Sequence, residues 1–295
     1  MFPYIGGKSH HVKWMDELFP ESFDTFVEVF GGAGWVSVKS PKVGNTKRRV
    51  YNDFNPLLSN LYYCFSNHST ELLNQMEEYE KSNVELYREF QKELFGSGEM
   101  SIDRLGNIEL AAKYAYLQTQ IFAGTPLSDK NVYYFTEVKS NGKYPSKYET
   151  LKKKLRNEKI LNRLHSIDEV RNADCIEVIK EYDSKDTFFY LDPPYYNMEF
   201  YYSKDFPKEK HAELAETLSN IKGKFALSYY DFEDLHNFYP NDKFFWYRKD
   251  VYRSASTRSS ADEDFSKKSR GEEIFITNYD PLPSSQSVLE LAVSH

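Results

Sequence analysis

Short runs rich in apolar, β-branched and aromatic residues recur along the chain at 26–30, 48–52, 187–191, 224–229, 244–247 and 273–277. Runs of this length and composition predict strands. Between them, at 9–18, 56–65 and 208–221, the apolar positions return with helical spacing. Alternating strand and helix patterns predict βαβ units, and so a doubly wound, mostly parallel α/β sheet.

The alternation fails between residues 70 and 164. That interval is long, charged and helical in pattern, with turn signals at Gly96-Ser97-Gly98 and Ser140-Asn141-Gly142. It predicts a mostly helical domain inserted at 70–164 into a sheet domain built from 1–69 and 165–295. A serine-rich stretch at 254–260 lies between two predicted strands and reads as a loop.

Composition narrows the setting. A chain of 295 residues with 40% hydrophobic content can bury a substantial core. Its two cysteines, Cys64 and Cys175, are far apart and form no Cys-x-x-Cys or Cys/His cluster. Neither a disulfide framework nor a zinc site is expected, which fits a reducing, cytoplasmic setting. No apolar run approaches the roughly 18 residues that a membrane span needs, and the opening residues lack the layout of a signal peptide.

Charge changes the picture locally rather than globally. The net charge of -7 argues against a general nucleic-acid coat. Between residues 139 and 163, however, Lys139, Lys143, Lys147, Lys152, Lys153, Lys154, Arg156, Lys159 and Arg163 face only Glu149 and Glu158. Such a run can meet a phosphate backbone; the plainer alternative is a solvated helix face. Aromatic content is 17%, with 24 tyrosines, which supplies core packing and also flat faces on which an unstacked base can lie.

Four segments carry candidate chemistry. The strand at 26–30 runs into Gly31-Gly32-Ala33-Gly34. Glycines there allow a sharp bend and close approach of an adenosine-bearing ligand, and Glu28 can order the loop. About twenty residues later Asp53 ends the next strand, where a carboxylate can accept hydrogen bonds from both ribose hydroxyls. The loop lacks the Gly-x-Gly-x-x-Gly spacing of a dinucleotide site. Near the start, Tyr4-Ile-Gly-Gly-Lys8 places an ammonium where it can meet the carboxylate of an amino-acid-like ligand, although a solvated lysine in a turn has the same pattern.

The fourth segment is Phe188-Phe-Tyr-Leu-Asp192-Pro193-Pro194-Tyr195, an apolar strand ending in an acid, two prolines and an aromatic. Adjacent prolines fix φ at two positions and donate no hydrogen bonds, leaving a stiff loop with free carbonyls. An exocyclic amine beside it could donate one hydrogen to Asp192 and one to the Pro193 carbonyl. Its nitrogen would then become tetrahedral, with a lone pair ready to attack a sulfonium methyl. Tyr195 can hold the base by stacking. His10-His11 lacks a third well-spaced ligand, so no metal is expected.

At these residues the chain resembles the Dam-like DNA adenine methyltransferases of the D12 class, alpha group, and the likeness covers most of its length. The resemblance implies a Rossmann-like methyltransferase sheet with an inserted target-recognition domain. It assigns Tyr4, Lys8, Phe30, Gly31, Gly34, Asp53, Asp174 and Asp192 to S-adenosyl-L-methionine, and Asp192, Pro193, Pro194 and Tyr195 to catalysis. Residues 271–278 resemble the family's closing strand, and Arg253-Ser-Ala-Ser a loop near DNA. The partner implied is duplex DNA with a flipped target adenine, contacted through Lys143, Lys147, Arg253 and Arg258; a companion restriction enzyme is left open. Family members that read GATC usually carry an Asn-Arg-x-Gly-x-Asn-Gly-like stretch, and this chain has Gln118-Thr-Gln-Ile-Phe-Ala-Gly124 in its place. A catalytically silent DNA-binding module, or an amine methyltransferase acting on RNA or protein, would share the same loop. Asn usually replaces the leading acid in enzymes that methylate protein glutamine, and Ser in those that methylate cytosine.

Overall fold

A computed structural model describes residues 2, 4, 7–79, 83–96, 102–121, 127, 146–196, 206–252 and 270–281. One sheet organises them. Its strands are β1 (Thr25–Glu28), β2 (Arg48–Asn52), β3 (Glu169–Arg171), β4 (Thr187–Leu191), β5 (Lys224–Tyr229), β6 (Phe245–Tyr252) and β7 (Arg270–Thr277), in the order β3-β2-β1-β4-β5-β7-β6. The pairs from β3 to β5 are parallel, and β7 runs antiparallel to both its neighbours. A mostly parallel sheet must be covered on both faces, and all five residues of β4 are buried.

Each face has its own helices. On one, α9 (Cys175–Tyr182), α10 (Lys208–Asn220) and α11 (Leu235–Phe238) cover Val27, Val50, Phe189 and Phe225. On the other, α1 (Val12–Glu17) and α2 (Trp35–Lys39) cover Phe26, Phe188 and Phe275, while α3 (Pro56–Asn67) lies beside Tyr51. The alternation of partners along β1 and β4 is the two-residue period of a strand turned into two separate cores.

Residues 69–165 supply α4 (Ser69–Glu77), α5 (Val84–Phe95), α6 (Ile108–Gln120), α7 (Lys147–Leu155) and α8 (Glu158–His165). These helices share a single buried cluster with Leu58, Leu61, Tyr62 and Phe65 of α3, which makes α3 the spine between sheet and helices. Asparagines stop the chain before several of them: Asn55 accepts from Leu57 N at 3.0 Å and Asn107 from Leu110 N at 3.0 Å, satisfying first-turn donors. Among the described residues, no helix is long and apolar enough to cross a membrane.

β3 is absent from the hydrophobic pattern. It is a three-residue edge strand in which only Val170 is buried, while Glu169 and Arg48 pair across the edge at 2.7 Å. An edge strand that buries one side chain has no periodicity to read. The described part of the basic run, 147–163, also differs from a uniformly solvated face. Lys152 is buried between Glu77 at 3.1 Å and Glu149 at 2.7 Å, Arg156 also pairs with Glu77, and the Arg163 guanidinium lies against the bare Cα of Gly44.

Candidate active site

Strand order reverses at β1 and β4: from β1 the sheet continues through β2 and β3 on one side and through β4 and β5 on the other. In such sheets the crevice for a ligand opens beyond the carboxyl ends of the two central strands. Glu28 of β1 stands in register with Tyr190 of β4, so the glycine loop and the Asp192 loop leave the sheet side by side.

The glycine loop is shaped by packing. A side chain at Gly31 would stand 2.2 Å from the Tyr51 ring, and one at Gly34 would meet the Tyr62 hydroxyl at 2.5 Å. Those two rings are stacked 3.9 Å apart. Gly34 has φ 59°, a left-handed conformation in which glycine carries little cost. Tyr51 donates to Gly32 O at 2.8 Å. From below, buried Glu28 accepts from Ser37 N at 3.2 Å and from the Ser37 hydroxyl; burial pushes its carboxyl up to about 7 against those donors.

Asp53 closes the loop from β2. Its Oδ2 accepts from Gly32 N at 2.9 Å and its Oδ1 from Asn55 N at 2.8 Å, while burial pushes its pKa up to about 6. Asn52, which the sequence did not mark, fastens this region to the next loop. Its amide donates to Val29 O at 2.9 Å and to Ala173 O at 3.2 Å, and its carbonyl accepts from Ala173 N at 3.0 Å. Asp174 follows as the cap of α9, accepting from Ile176 N at 2.9 Å and paired with Lys210 at 2.9 Å. The Phe30 ring stands edge-on to Phe206, and Tyr4 lies over the loop, 3.3 Å from where a Gly32 side chain would begin.

A second group assembles at the end of β4. Asp192 follows the last strand residue and leads into buried Pro193, half-buried Pro194 and Tyr195. Lys8, in the turn that opens α1, is 6% exposed and lies 3.3 Å from Asp192 and 2.7 Å from Glu273 of β7. It also donates to the Tyr195 hydroxyl, which in turn donates to Glu273 at 3.3 Å. Burial raises Asp192 to about 7; Lys8 opposes the shift and Glu273 adds to it. Burial alone would lower Lys8, but the carboxylates of Asp192 and Glu273 outweigh it and hold the ammonium well above its ordinary value. Lys8, expected to meet a ligand carboxylate, is ion-paired with two protein carboxylates.

The structure thus brings Lys8, Asp192 and Tyr195 into one cluster, and Tyr4, Gly31, Gly34 and Asp53 into another beside it. Glu273 was legible only as part of the closing strand. The available signal was an acid directly before Ile274-Phe-Ile276, each of which is fully buried. Both cysteines are buried, and burial pushes each thiol up to about 12, so neither is a nucleophile near neutral pH. Of the expected DNA contacts, Lys147 is half-buried at the start of α7, and burial lowers its pKa. Lys143, Arg253 and Arg258 lie outside the described residues, as does the serine-rich stretch at 254–260.

Residues 4–255 match the family model described as D12 class N6 adenine-specific DNA methyltransferase. The matched span contains every residue of the two clusters except Glu273. No curated protein matches the chain. Among solved structures, an rRNA methyltransferase, aviRa from Streptomyces viridochromogenes, is similar over 93% of this chain and 85% of its own, with 12% identity and a TM-score of 0.34.

Proposed function

As the chain belongs to the D12 class N6 adenine-specific DNA methyltransferase family, we propose that it transfers a methyl group from S-adenosyl-L-methionine to the N6 amine of a flipped adenine in DNA. The observation that carries the reading is Asp192: a half-buried carboxylate at the switch point of the sheet, on a stiff proline loop, with Lys8 beside it. The neighbouring cluster fits an adenosyl ligand. Glycine at 32 leaves open the space beneath the Tyr4 ring, and Asp53 has lone pairs left for hydroxyl donors.

In this reading Asp53 holds the ribose, Tyr4 and Phe30 flank the ligand, and the Gly31 to Gly34 turn lets it approach the backbone. When bound, S-adenosyl-L-methionine supplies an electrophilic sulfonium methyl. Asp192 accepts one hydrogen of the target amine and the Pro193 carbonyl the other, turning the nitrogen lone pair toward the methyl; as the N–C bond forms and the C–S bond breaks, Asp192 would take the proton that the amine gives up. No covalent enzyme intermediate is required. Positioning two bound reactants can contribute roughly 7 to 11 kcal/mol to such a step. An adenine stacked and paired inside a duplex does not present its amine to a loop at the end of a strand, so the base must leave the stack. We assign target recognition to residues 70–164, with Lys147 and, from segments outside the described residues, Lys143, Arg253 and Arg258 meeting the DNA backbone.

Modified-base sequencing of DNA from cells producing the protein tests the reading. N6-methyladenine at a recurring motif is the expected result; unmodified DNA, or methylated cytosine, would overturn it. The ligand assignment makes a separate prediction. Asp53→Ala should bind S-adenosyl-L-methionine about 10- to 100-fold more weakly by calorimetry, the equivalent of one charged hydrogen bond, with a smaller change in the single-turnover rate at saturating ligand. Unchanged affinity would remove Asp53 from the site.

A further inference from the structure

We propose that Glu273 is a positioning residue of the transfer centre: by drawing the Lys8 ammonium toward itself, it leaves an oxygen of Asp192 free to accept the target amine. The inference rests on the reading above, in which Asp192 is that acceptor.

Glu273 is 7% exposed and precedes three fully buried apolar residues of β7. A carboxylate in such a place is costly unless it is paired and hydrogen-bonded. It is held by the Lys8 ammonium at 2.7 Å, by the Tyr195 hydroxyl at 3.3 Å and by the hydroxyl of fully buried Ser228 on β5. Burial pushes the Tyr195 phenol well above its ordinary value, so it stays protonated and able to donate. Lys8, Tyr195 and Glu273 therefore close a ring of one ion pair and two hydrogen bonds, which Asp192 meets through its longer contact with Lys8.

The distances rank the two carboxylates. Lys8 lies 2.7 Å from Glu273 and 3.3 Å from Asp192 Oδ1, the long end of the range for a hydrogen bond. Asp192 thus keeps the electrostatic support of a cation while a single long contact, to Oδ1, draws on its acceptor capacity. Without the charge on Glu273, Lys8 would have Asp192 as its one carboxylate, and the ammonium would compete with the amine for the same oxygen. Among the described residues, Tyr190 of β4 feels Asp192, Lys8 and Glu273, His11, before α1, feels Lys8, Glu273 and Lys249 of β6, and Tyr229 and Tyr230 face the Tyr195 ring.

The test compares wild type with Glu273→Gln, which keeps the shape and removes the charge, and Glu273→Asp, which restores the charge. Asp192 ionisation is followed in the free protein by NMR of 13C-labelled aspartate carboxyls. In Glu273→Gln the Asp192 midpoint should fall from about 7 by about one pH unit, because losing a neighbouring anion and gaining more of Lys8 both favour the ionised form. On DNA, the plateau single-turnover rate should fall about tenfold, as expected for a lost positioning contact, with ligand affinity unchanged. Glu273→Asp should recover both the midpoint and most of the rate. An Asp192 midpoint that stays at about 7 in Glu273→Gln overturns the proposal. Should that variant not fold, Ser228→Ala loosens Glu273 without altering any charge: a slower plateau supports the proposal, and the wild-type rate overturns it. A wild-type protein that methylates no DNA overturns the functional reading instead, and the NMR titration still decides the electrostatic role of Glu273.

Discussion

Asp192→Ala is expected to slow methyl transfer by about 100- to 10,000-fold, the range in which a positioned proton acceptor ordinarily contributes. The fold should survive. Removing Asp192 leaves Lys8 its closer partner, Glu273 at 2.7 Å, and relieves the protein of a carboxylate that burial already disfavours. The variant should therefore melt at or above the wild-type temperature, bind S-adenosyl-L-methionine within a few-fold of wild type, and yet fail in a single-turnover assay. Loss of activity together with loss of ligand binding would move Asp192 from chemistry to ligand capture. Full activity would end the assignment.

Lys8→Met should have the opposite balance, a large cost in stability. The substitution leaves Asp192 and Glu273 facing each other in a buried site with no cation. Removing one partner of a buried ion pair typically costs about 3–5 kcal/mol. The pH dependence carries the signature. Asp192 titrates at about 7 in the fold, well above its ordinary value of 3.8, and without Lys8 it should titrate higher still. A carboxyl raised in this way binds more protons folded than unfolded throughout that window, so stability falls as pH rises from the ordinary carboxylate range to beyond 7. Chemical denaturation of Lys8→Met should show a greater loss at pH 8 than at pH 5. Wild type should show a shallower slope of the same sign from this group. A pH-independent cost would mean that Lys8 contributes through packing of its stem and not through its charge.

The parts of this protein that burial dictates were legible in its sequence, and those that pairing dictates were not. β2, β4 and β5 begin and end where the sequence places them, because their central residues are buried and carry the apolar pattern. β6 was expected to stop at Tyr247, yet it continues through Arg248, Lys249 and Asp250 to Tyr252. Those residues lie on the outer strand of the sheet, where partners on β7 such as Glu272 and Glu273 sustain the ladder and hydrophobic pattern does not. The site divides in the same way. Asp53 and Asp192 stand out because an acid ends an apolar strand. Glu273 sits inside a strand, where one acid before a buried run looks like ordinary alternation; only its proximity to a lysine 265 residues earlier gives it meaning. Asn52 shows the same limit, since its side chain joins loops that only the sheet order brings together.

The stacked rings of Tyr51 and Tyr62 have a consequence for the thermodynamics of ligand capture. They press on Gly31 and Gly34 from the heart of the cluster shared by α3 and the helices beyond it, so the turn cannot loosen unless that cluster opens. The conformational entropy of the turn has been surrendered during folding, before any ligand arrives. A ligand meeting this loop spends little of its interaction energy on ordering backbone and keeps more of it as affinity.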